Sequence, residues 1–564
     1  MRQFNKIEWT DEQRKFLNLN KKGKFVVKAC PGSGKSTAVT ERVCRFIKKW
    51  NNKKSGIAVL SFTNVAADEI KENYEKELNL KIEYPHFVGT LDSFINTYIF
   101  LPYGKLVMGC KEKPVLVGEP NSYWSSRDYL RNQFEQVNFL IDGEVKNRYS
   151  INKPYAEIKK MKYDLTKEGF ATQKDAIYHS MKVLEEYPQI AKALSLRFPH
   201  IIIDEAQDTS DITMRIIDLL IENGLDNVIL VGDPEQAIYE WNGANPKLFY
   251  EKYAKWDESI DFTYNFRSSQ QICDFFSKLS DIDEITSKCL HDFDLKPVII
   301  PHTLNFKEIM RVFFNDCHKN NIKINNEDVC VLFRGNEEIF NFKKSFKLRN
   351  VYKLFDYNCI LKNRTVNIIE GIYHWNNGEY LKGFEIMQRE YLKHKFNSSR
   401  VTYEDISEEI NHIGFQKHRA NVFNFIESFP KIENNQTIDS WINLVNYNPS
   451  INFSLCEVKN ENVKNMPYHA KEITFELLFN DDEKLDYHIG TVHSVKGCSL
   501  EATLLILKNQ TQDRMSYREV LHDDISLINN EELRIVYVAL SRPKKLLYLA
   551  VPENDYGMWK SLFS

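Results

Sequence analysis

Short apolar runs that end in small polar residues, each followed by a stretch of helical period, recur along the chain and predict parallel strands joined by crossover helices. Phe25-Val26-Val27 precedes a helix-like segment from Ala38 to Lys49. Ile57 to Asn64 reads as an apolar strand closing on an aromatic and small polar residues, with a helix over Val65 to Glu77 behind it. Val88-Gly89-Thr90 is a second such end. Residues 172–196 are helical by period and lead into His200-Ile201-Ile202-Ile203; Asn227 to Val231 and Val329 to Phe333 repeat the strand pattern. In parallel α/β sheets ligands bind beyond the carboxyl ends of the strands, so Phe62, Asn64 and Thr90 fall at candidate binding edges. Phe62 reads equally well as core. Two stretches break the pattern: 95–165, punctuated by Pro102, Pro114, Pro120 and Pro154, and 346–484, with helical segments such as Tyr380 to Lys395. Both read as inserted subdomains.

Composition narrows the class. A chain of 564 residues exceeds one ordinary core and suggests roughly three to five units. With 43% hydrophobic and 27% charged residues it is neither a disordered tail nor a fibre. The formal net charge of -3 excludes a uniformly basic protein but permits a local basic groove. Ten cysteines without a C-x-x-C pair suggest neither a zinc ribbon nor a disulfide framework, and fit a reducing cytoplasm. The N-terminal residues lack an apolar signal core and no apolar run is long enough for a bilayer, so the expectation is a soluble intracellular protein with no membrane partner.

The chemistry concentrates at the strand ends. Ala29-Cys30-Pro31-Gly32-Ser33-Gly34-Lys35-Ser36-Thr37 sits between a strand and a helix, where backbone N–H groups and the helix N-terminus bind phosphate. Lys35 can reach the β- and γ-phosphates and Ser36 can ligate Mg²⁺. Ala29 stands where the general P-loop pattern has its first Gly. Asp204-Glu205 ends a buried strand, as needed to hold Mg²⁺ beside Ser36 and to orient and deprotonate water. Gln13, behind a cap at Thr10 or Asp11, carries an amide able to read adenine, although taken alone a plain surface helix accounts for it better. After Gly232-Asp233, Gln236 is placed to sense a γ-phosphate, while Tyr239 and Trp241 present faces on which bases stack.

Together the Lys35 loop, Asp204-Glu205-Ala206-Gln207 and Gly232-Asp233 to Trp241 resemble the UvrD/Rep family of superfamily 1 helicases. Asn265-Phe266-Arg267-Ser268-Ser269 resembles the segment whose aromatic packs on adenine and whose Arg contacts the γ-phosphate, with Phe266 for the usual Tyr. Gly490-Thr491-Val492-His493-Ser494-Val495-Lys496-Gly497 resembles the motif that couples DNA to ATP, with Ser499 where a Glu is usual. Glu531 to Arg542 resembles the last motif, making Arg542 the arginine finger, with Ser541 for Thr. Asn242, Val65 and Asp92 replace the usual Arg, Lys and His.

The resemblance implies two RecA-like α/β P-loop NTPase lobes, each interrupted by a mostly helical insertion. Residues 1–95 and 166–263 would form the first lobe around insertion 96–165; 264–345 and 485–564 would form the second around 346–484. It implies ATP and Mg²⁺ as cofactors, held by the Lys35 loop, Gln13, Phe266, Arg267 and Arg542, with Ser36 and Asp204 on the metal. Lys35, Asp204, Glu205, Gln236, Arg267 and Arg542 would carry catalysis. Phe62, Asn64, Thr90, Tyr239, Trp241, Thr491 and His493 would face single-stranded DNA or a single-strand/duplex junction. The implied activity is an ATP-dependent DNA helicase of 3′ to 5′ polarity. The alternative is a DNA-dependent ATPase that controls a partner nuclease, as in two-component anti-phage systems such as Gabija; no nuclease motif follows Arg542.

Overall fold

The computed structural model describes residues 7–19, 22–117, 128–147, 154–282, 284–289, 295–302, 306–345, 354–356, 359, 361–396, 398, 401–449, 451, 454–461, 469–479, 487–508, 517–523 and 526–563. Two wholly parallel sheets organise them. The first contains β1 (Gly23–Ala29), β2 (Ile57–Ser61), β3 (Phe87–Thr90), β4 (His200–Ile203), β5 (Asn227–Gly232) and β6 (Glu258–Phe262), in the order β6-β1-β5-β4-β2-β3. The second contains β7 (Val298–His302), β8 (Val329–Phe333), β9 (His488–Thr491), β10 (Leu500–Ile506) and β11 (Pro543–Pro552), in the order β7-β11-β10-β8-β9.

Alternation along buried strands explains why these runs are apolar throughout. Val26, Ala58, Leu60, Ile203 and Leu230 point to one side of the first sheet, where α4 (Gln173–Glu186) and α5 (Asp211–Glu222) cover them. Phe25, Val27, Val59, Ile202 and Val231 point to the other, under α2 (Lys35–Lys49) and α3 (Asn64–Leu78). A strand buried on both faces has no polar face to show. The second sheet repeats the arrangement: Cys330, Leu332, Leu505 and Leu549 face α6 (Gln270–Ser277) and α8 (Glu531–Leu540), whereas Val331, Phe333, Leu504 and Tyr548 face α7 (Phe306–Lys319).

The insertions differ in how they are anchored. The antiparallel pair Val137–Phe139 and Val145–Asn147 and helix Tyr155–Lys167 send Val137, Phe139, Val145 and Ile158 into the core of the first lobe, while helix Asp128–Glu135 packs Phe134 against Leu165 and Phe170. A fully buried Lys162–Asp175 ion pair of 2.5 Å ties this insertion to α4. The later insertion has its own core, in which Ile369, Ile372, Val422 and Trp441 meet from the helices Lys362–Asn376, Phe415–Glu427 and Ile438–Asn446.

Several sequence expectations shift. α2 begins at Lys35 instead of Ala38, because Gly34 adopts the left-handed conformation that starts it. The Ile57 strand stops at Ser61, because Thr63 caps α3 by accepting the Ala66 N–H. The helix expected over 172–196 divides at Tyr187, since Pro188 disfavours helical geometry in the preceding residue and opens a second helix, Pro188–Arg197. The cysteine spacing suggests no disulfide framework; Cys359 and Cys456, 97 positions apart, are nonetheless brought together with Cα atoms 6.6 Å from one another. Only folding brings them together, so their spacing carries no sign of it.

Candidate nucleotide and nucleic-acid site

Parallel strands put the ends of β1, β2, β3, β4 and β5 on one edge of the first sheet, and the site is assembled there. After β1, Gly32 (φ 68°) and Gly34 (φ 72°) turn the chain into α2. A Cβ on Gly32 would lie 2.8 Å from the Arg267 Cβ, so this turn admits no side chain. Ala29 is the buried last residue of β1 and has no positive φ, which explains why it replaces a Gly without strain. The loop is bolted to its surroundings: the Cys30 N–H donates to Phe262 O at 2.9 Å, Asn265 Nδ2 donates to Pro31 O at 2.6 Å, and the Phe266 N–H donates to Gly32 O at 2.8 Å. Ser33 Oγ is buried without a partner, and Ser36 and Thr37 lie half-buried in the first turn of α2.

Asp204 and Glu205 follow β4. Glu205 adopts φ 54°, an uncommon left-handed backbone for a non-Gly residue, and Gln207 Nε2 donates to its Oε2 at 2.5 Å. Lys35 Nζ lies 2.5 Å from Glu205 Oε1 and 3.5 Å from Asp204 Oδ1. Burial alone would raise the Glu205 carboxyl, but the Lys35 ammonium overrides it and holds Glu205 down at about 2. Asp204, completely buried, is pushed up to about 6 by desolvation despite the same lysine. Its Oδ2 has no hydrogen-bond partner. A buried, unsatisfied carboxylate oxygen next to a phosphate-type loop suits a hard cation with oxygen ligands, so the donor set of Ser36 and Asp204 fits Mg²⁺.

The second lobe reaches across. Gln236 Nε2 donates to Asp233 Oδ2 at 2.5 Å, and its Oε1 accepts from Arg542 Nη2 at 2.6 Å. Burial, with Glu235 beside it, pushes Asp233 up to about 7, and burial lowers Arg542 to about 10. Arg267 donates through Nε to Ser499 Oγ at 2.8 Å and through Nη1 to Ser541 O at 3.1 Å. Ser499 thus serves an arginine of the site. Gln13 is buried, with its Oε1 accepting the Thr10 N–H and its Nε2 donating to Ser33 O at 2.9 Å. Thr10 is the helix cap, and the Gln13 amide is a strut for the phosphate loop. A Cβ on Gly34 would sit 3.4 Å from Gln13 Nε2 and 3.8 Å from the Phe266 ring, so these residues do converge at the start of α2.

A strip of aromatic faces lies alongside. Phe62 and Tyr239 stack with centroids 5.8 Å apart, and Tyr239 also meets Trp241 at 6.3 Å and His493 at 6.1 Å. Phe62 is only partly buried, so the core reading of it gives way to a face in the strip. Trp241 is 62% exposed. Asn64 is exposed in the first turn of α3. Thr90 ends β3 and caps the next turn through Ser93, while Thr491 ends β9.

Two cations stand beside this strip, one from the Gly490–Gly497 motif and one outside every motif of the sequence. Lys496 lies 4.5 Å from the Tyr239 ring centre and 2.7 Å from Asp208, and Lys174 Nζ donates to Asn242 O at 2.9 Å. Lys174 therefore brings an ammonium to the turn from which the sequence appeared to remove one. Nothing in the spacing signals it, because Lys174 lies 68 positions from its acceptor. Among the described residues no three His, Cys, Asp or Glu side chains cluster as a separate metal site, and no helix is long and apolar enough to cross a membrane.

Comparison with known proteins agrees with this geometry. A "Probable DNA helicase II homolog" of Mycoplasma genitalium is 23% identical over 96% of this chain and 84% of its own length. The ATP-dependent DNA helicase Rep of Buchnera aphidicola is 24% identical over 59% of this chain and 56% of its own. The exonuclease/helicase subunit RexA of Streptococcus pneumoniae is 34% identical, over 19% of this chain and 10% of that protein. Residues 9–108 and 124–257 match the UvrD/REP helicase N-terminal domain, so the likeness to UvrD/Rep helicases runs through both parts of the first lobe.

Proposed function

We propose that the protein is an ATP-dependent DNA helicase that translocates 3′ to 5′ on single-stranded DNA and acts at single-strand/duplex junctions in the cytoplasm. The observation that carries this is the Gln236 bridge. One amide joins Asp233 of the first lobe to Arg542 of the second, in a loop that three residues later presents Tyr239 to the aromatic strip. Nucleotide chemistry and strand contact therefore share one short segment.

The phosphates of ATP would lie against the N–H groups of residues 32–37, with Gln13 and Phe266 beside the base. Lys35, now paired with Glu205, would exchange that carboxylate for phosphate oxygens. Releasing Glu205 from its ammonium raises its proton affinity from a very low value toward that of a working base, which orients and deprotonates water. Mg²⁺ held by Ser36 and Asp204 would neutralise charge on the phosphates. Arg267 and Arg542 close on the γ-phosphate from the second lobe, so hydrolysis needs both lobes together. Phe62, Tyr239, Trp241 and His493 then grip bases, with Thr90 and Thr491 at the two sheet edges.

Strand displacement on a duplex with a 3′ single-stranded tail, with ATP hydrolysis followed in the same tube, tests the reading. Wild-type protein is expected to unwind, and Glu205→Gln to lose hydrolysis by roughly 10²–10⁴-fold along with unwinding. DNA-stimulated hydrolysis without strand displacement would overturn the helicase reading and favour an ATPase that controls a partner nuclease.

A further inference from the structure

The loop that carries Gln236, Tyr239 and Trp241 belongs to the first lobe, yet the second lobe holds it along its length. Two residues past the C-terminal end of α8, Arg542 binds Gln236. One helical stretch earlier, Arg534 is wholly buried and donates through Nε to Ala237 O at 2.6 Å, through Nη1 to Leu527 O at 2.5 Å, and through Nη2 to the Glu240 carboxylate. Glu531 Oε1 accepts the Glu240 N–H at 2.9 Å. Between these points His493 Nε2 lies 3.1 Å from Ile238 O. Gln236, Ala237, Ile238 and Glu240 are thus all fastened to the second lobe, Ala237 and Glu240 to α8 itself and Gln236 to the residue two positions past its end.

Chemistry makes the Glu240 contact special among these. Ala237, Leu527 and Ile528 offer Arg534 only neutral carbonyls, and a buried guanidinium left without its counter-charge is strongly unfavourable. Glu240, by contrast, has a side chain 40% exposed and sits between Tyr239 and Trp241 in sequence. Its position therefore follows Arg534 closely, and the stacking faces on either side follow Glu240.

We propose that Glu240 and Arg534 form a coupling latch. It passes the state of the nucleotide site, sensed where Arg542 meets Gln236, to the Tyr239–Trp241 face that stacks on single-stranded nucleic acid. The inference rests on the proposed function and adds to it a pair of positioning residues. α8 acts as a stiff rod about 15 Å long with the ATP contact near one end and the latch near the other. Any shift of α8 that moves Arg542 relative to Gln236 then moves the loop at Glu240.

The test uses the full chain with Glu240→Gln, which keeps an oxygen acceptor and removes the charge, and Glu240→Ala, which removes both. Three quantities are read: hydrolysis without DNA, hydrolysis with saturating oligo(dT), and oligo(dT) affinity with and without a non-hydrolysable ATP analogue. Hydrolysis without DNA and nucleotide-free oligo(dT) affinity are expected to stay within about two-fold in both variants. DNA-stimulated turnover should fall about ten-fold in Glu240→Ala and less in Glu240→Gln, and the effect of the analogue on oligo(dT) affinity should vanish, a size usual for coupling between sites. Wild-type stimulation and a wild-type analogue effect in both variants would overturn the latch alone. Wild-type protein that shows neither would overturn the proposed function and the latch with it.

Discussion

The two lobes build one sheet edge in the same way and use it differently. In the first lobe the edge strand β3 ends in Gly89-Thr90 and runs on into Leu91-Asp92-Ser93; in the second, β9 ends in Gly490-Thr491 and runs on into Val492-His493-Ser494. Ser93 Oγ donates to Thr90 O at 2.8 Å and Ser494 Oγ donates to Thr491 O at 2.7 Å. In both, a Cβ on the Gly would collide with that serine. Elsewhere the lobes part. The first lobe's strands end in the phosphate loop, Asp204-Glu205 and Asp233, whereas β8 of the second ends at Arg334, which pairs with Glu532 of its own lobe at 2.6 Å. The shared edge points to a scaffold for gripping a strand twice. The unshared ends put the phosphate-type loop and the strand-end acids in one lobe, with Arg267 and Arg542 brought to them from the other, the division of labour that the proposed function requires.

The residue just before the serine of each edge sharpens this contrast. Asp92 reaches solvent, yet the protein crowded around its carboxyl raises its pKa against the opposing Gln173 amide. His493 is lowered by burial and by nearby Arg334, which keeps its ring neutral at pH 7 and suited to the Ile238 carbonyl. One edge thus offers an acid and the other a neutral ring.

Substitutions can break or strengthen the comparison. Arg542→Ala removes the cation that the second lobe lends to the first and should cut DNA-stimulated hydrolysis by roughly 10³-fold or more, with ATP binding at the Lys35 loop retained; hydrolysis close to wild type would show the first lobe to be self-sufficient. Tyr239→Ala removes the ring shared by Phe62 of the first lobe and His493 of the second, and should weaken oligo(dT) binding by about 1–3 kcal/mol, read by fluorescence anisotropy. Asp92→His makes the first edge resemble the second and should tighten oligo(dT) binding by roughly 0.2–1 kcal/mol, less so at high salt. Unchanged affinity would place Asp92 away from the strand.

Legibility followed the distance between partners. The phosphate loop is contiguous, so its Gly spacing, Lys35 and Ser36 could be read directly, and Asp204-Glu205 announced itself at the end of an apolar strand. Gln13 was harder: its amide chemistry is evident, but its bonds to Thr10 and Ser33 require α1 (Asp11–Leu17) to dock on the loop. Ser499 reads as a lost carboxylate in the sequence, whereas in the fold Arg267, 232 positions away, uses it. Asn242 reads as a lost cation, whereas in the fold Lys174 stands against it.

By itself, then, the amino-acid sequence determined the alternation of buried strands and covering helices, the loop able to hold phosphate and the acids at a strand end, because local periodicity and backbone freedom decide these. Tertiary structure alone decided that Lys35 rests on Glu205, that Arg542 reaches Gln236, that Arg534 takes Glu240 as its counter-charge and that Cys359 finds Cys456. Each of these joins residues distant along the chain, and a charge or thiol acquires its partner only when the packing of two sheets and their insertions sets which distant side chains share a low-dielectric space.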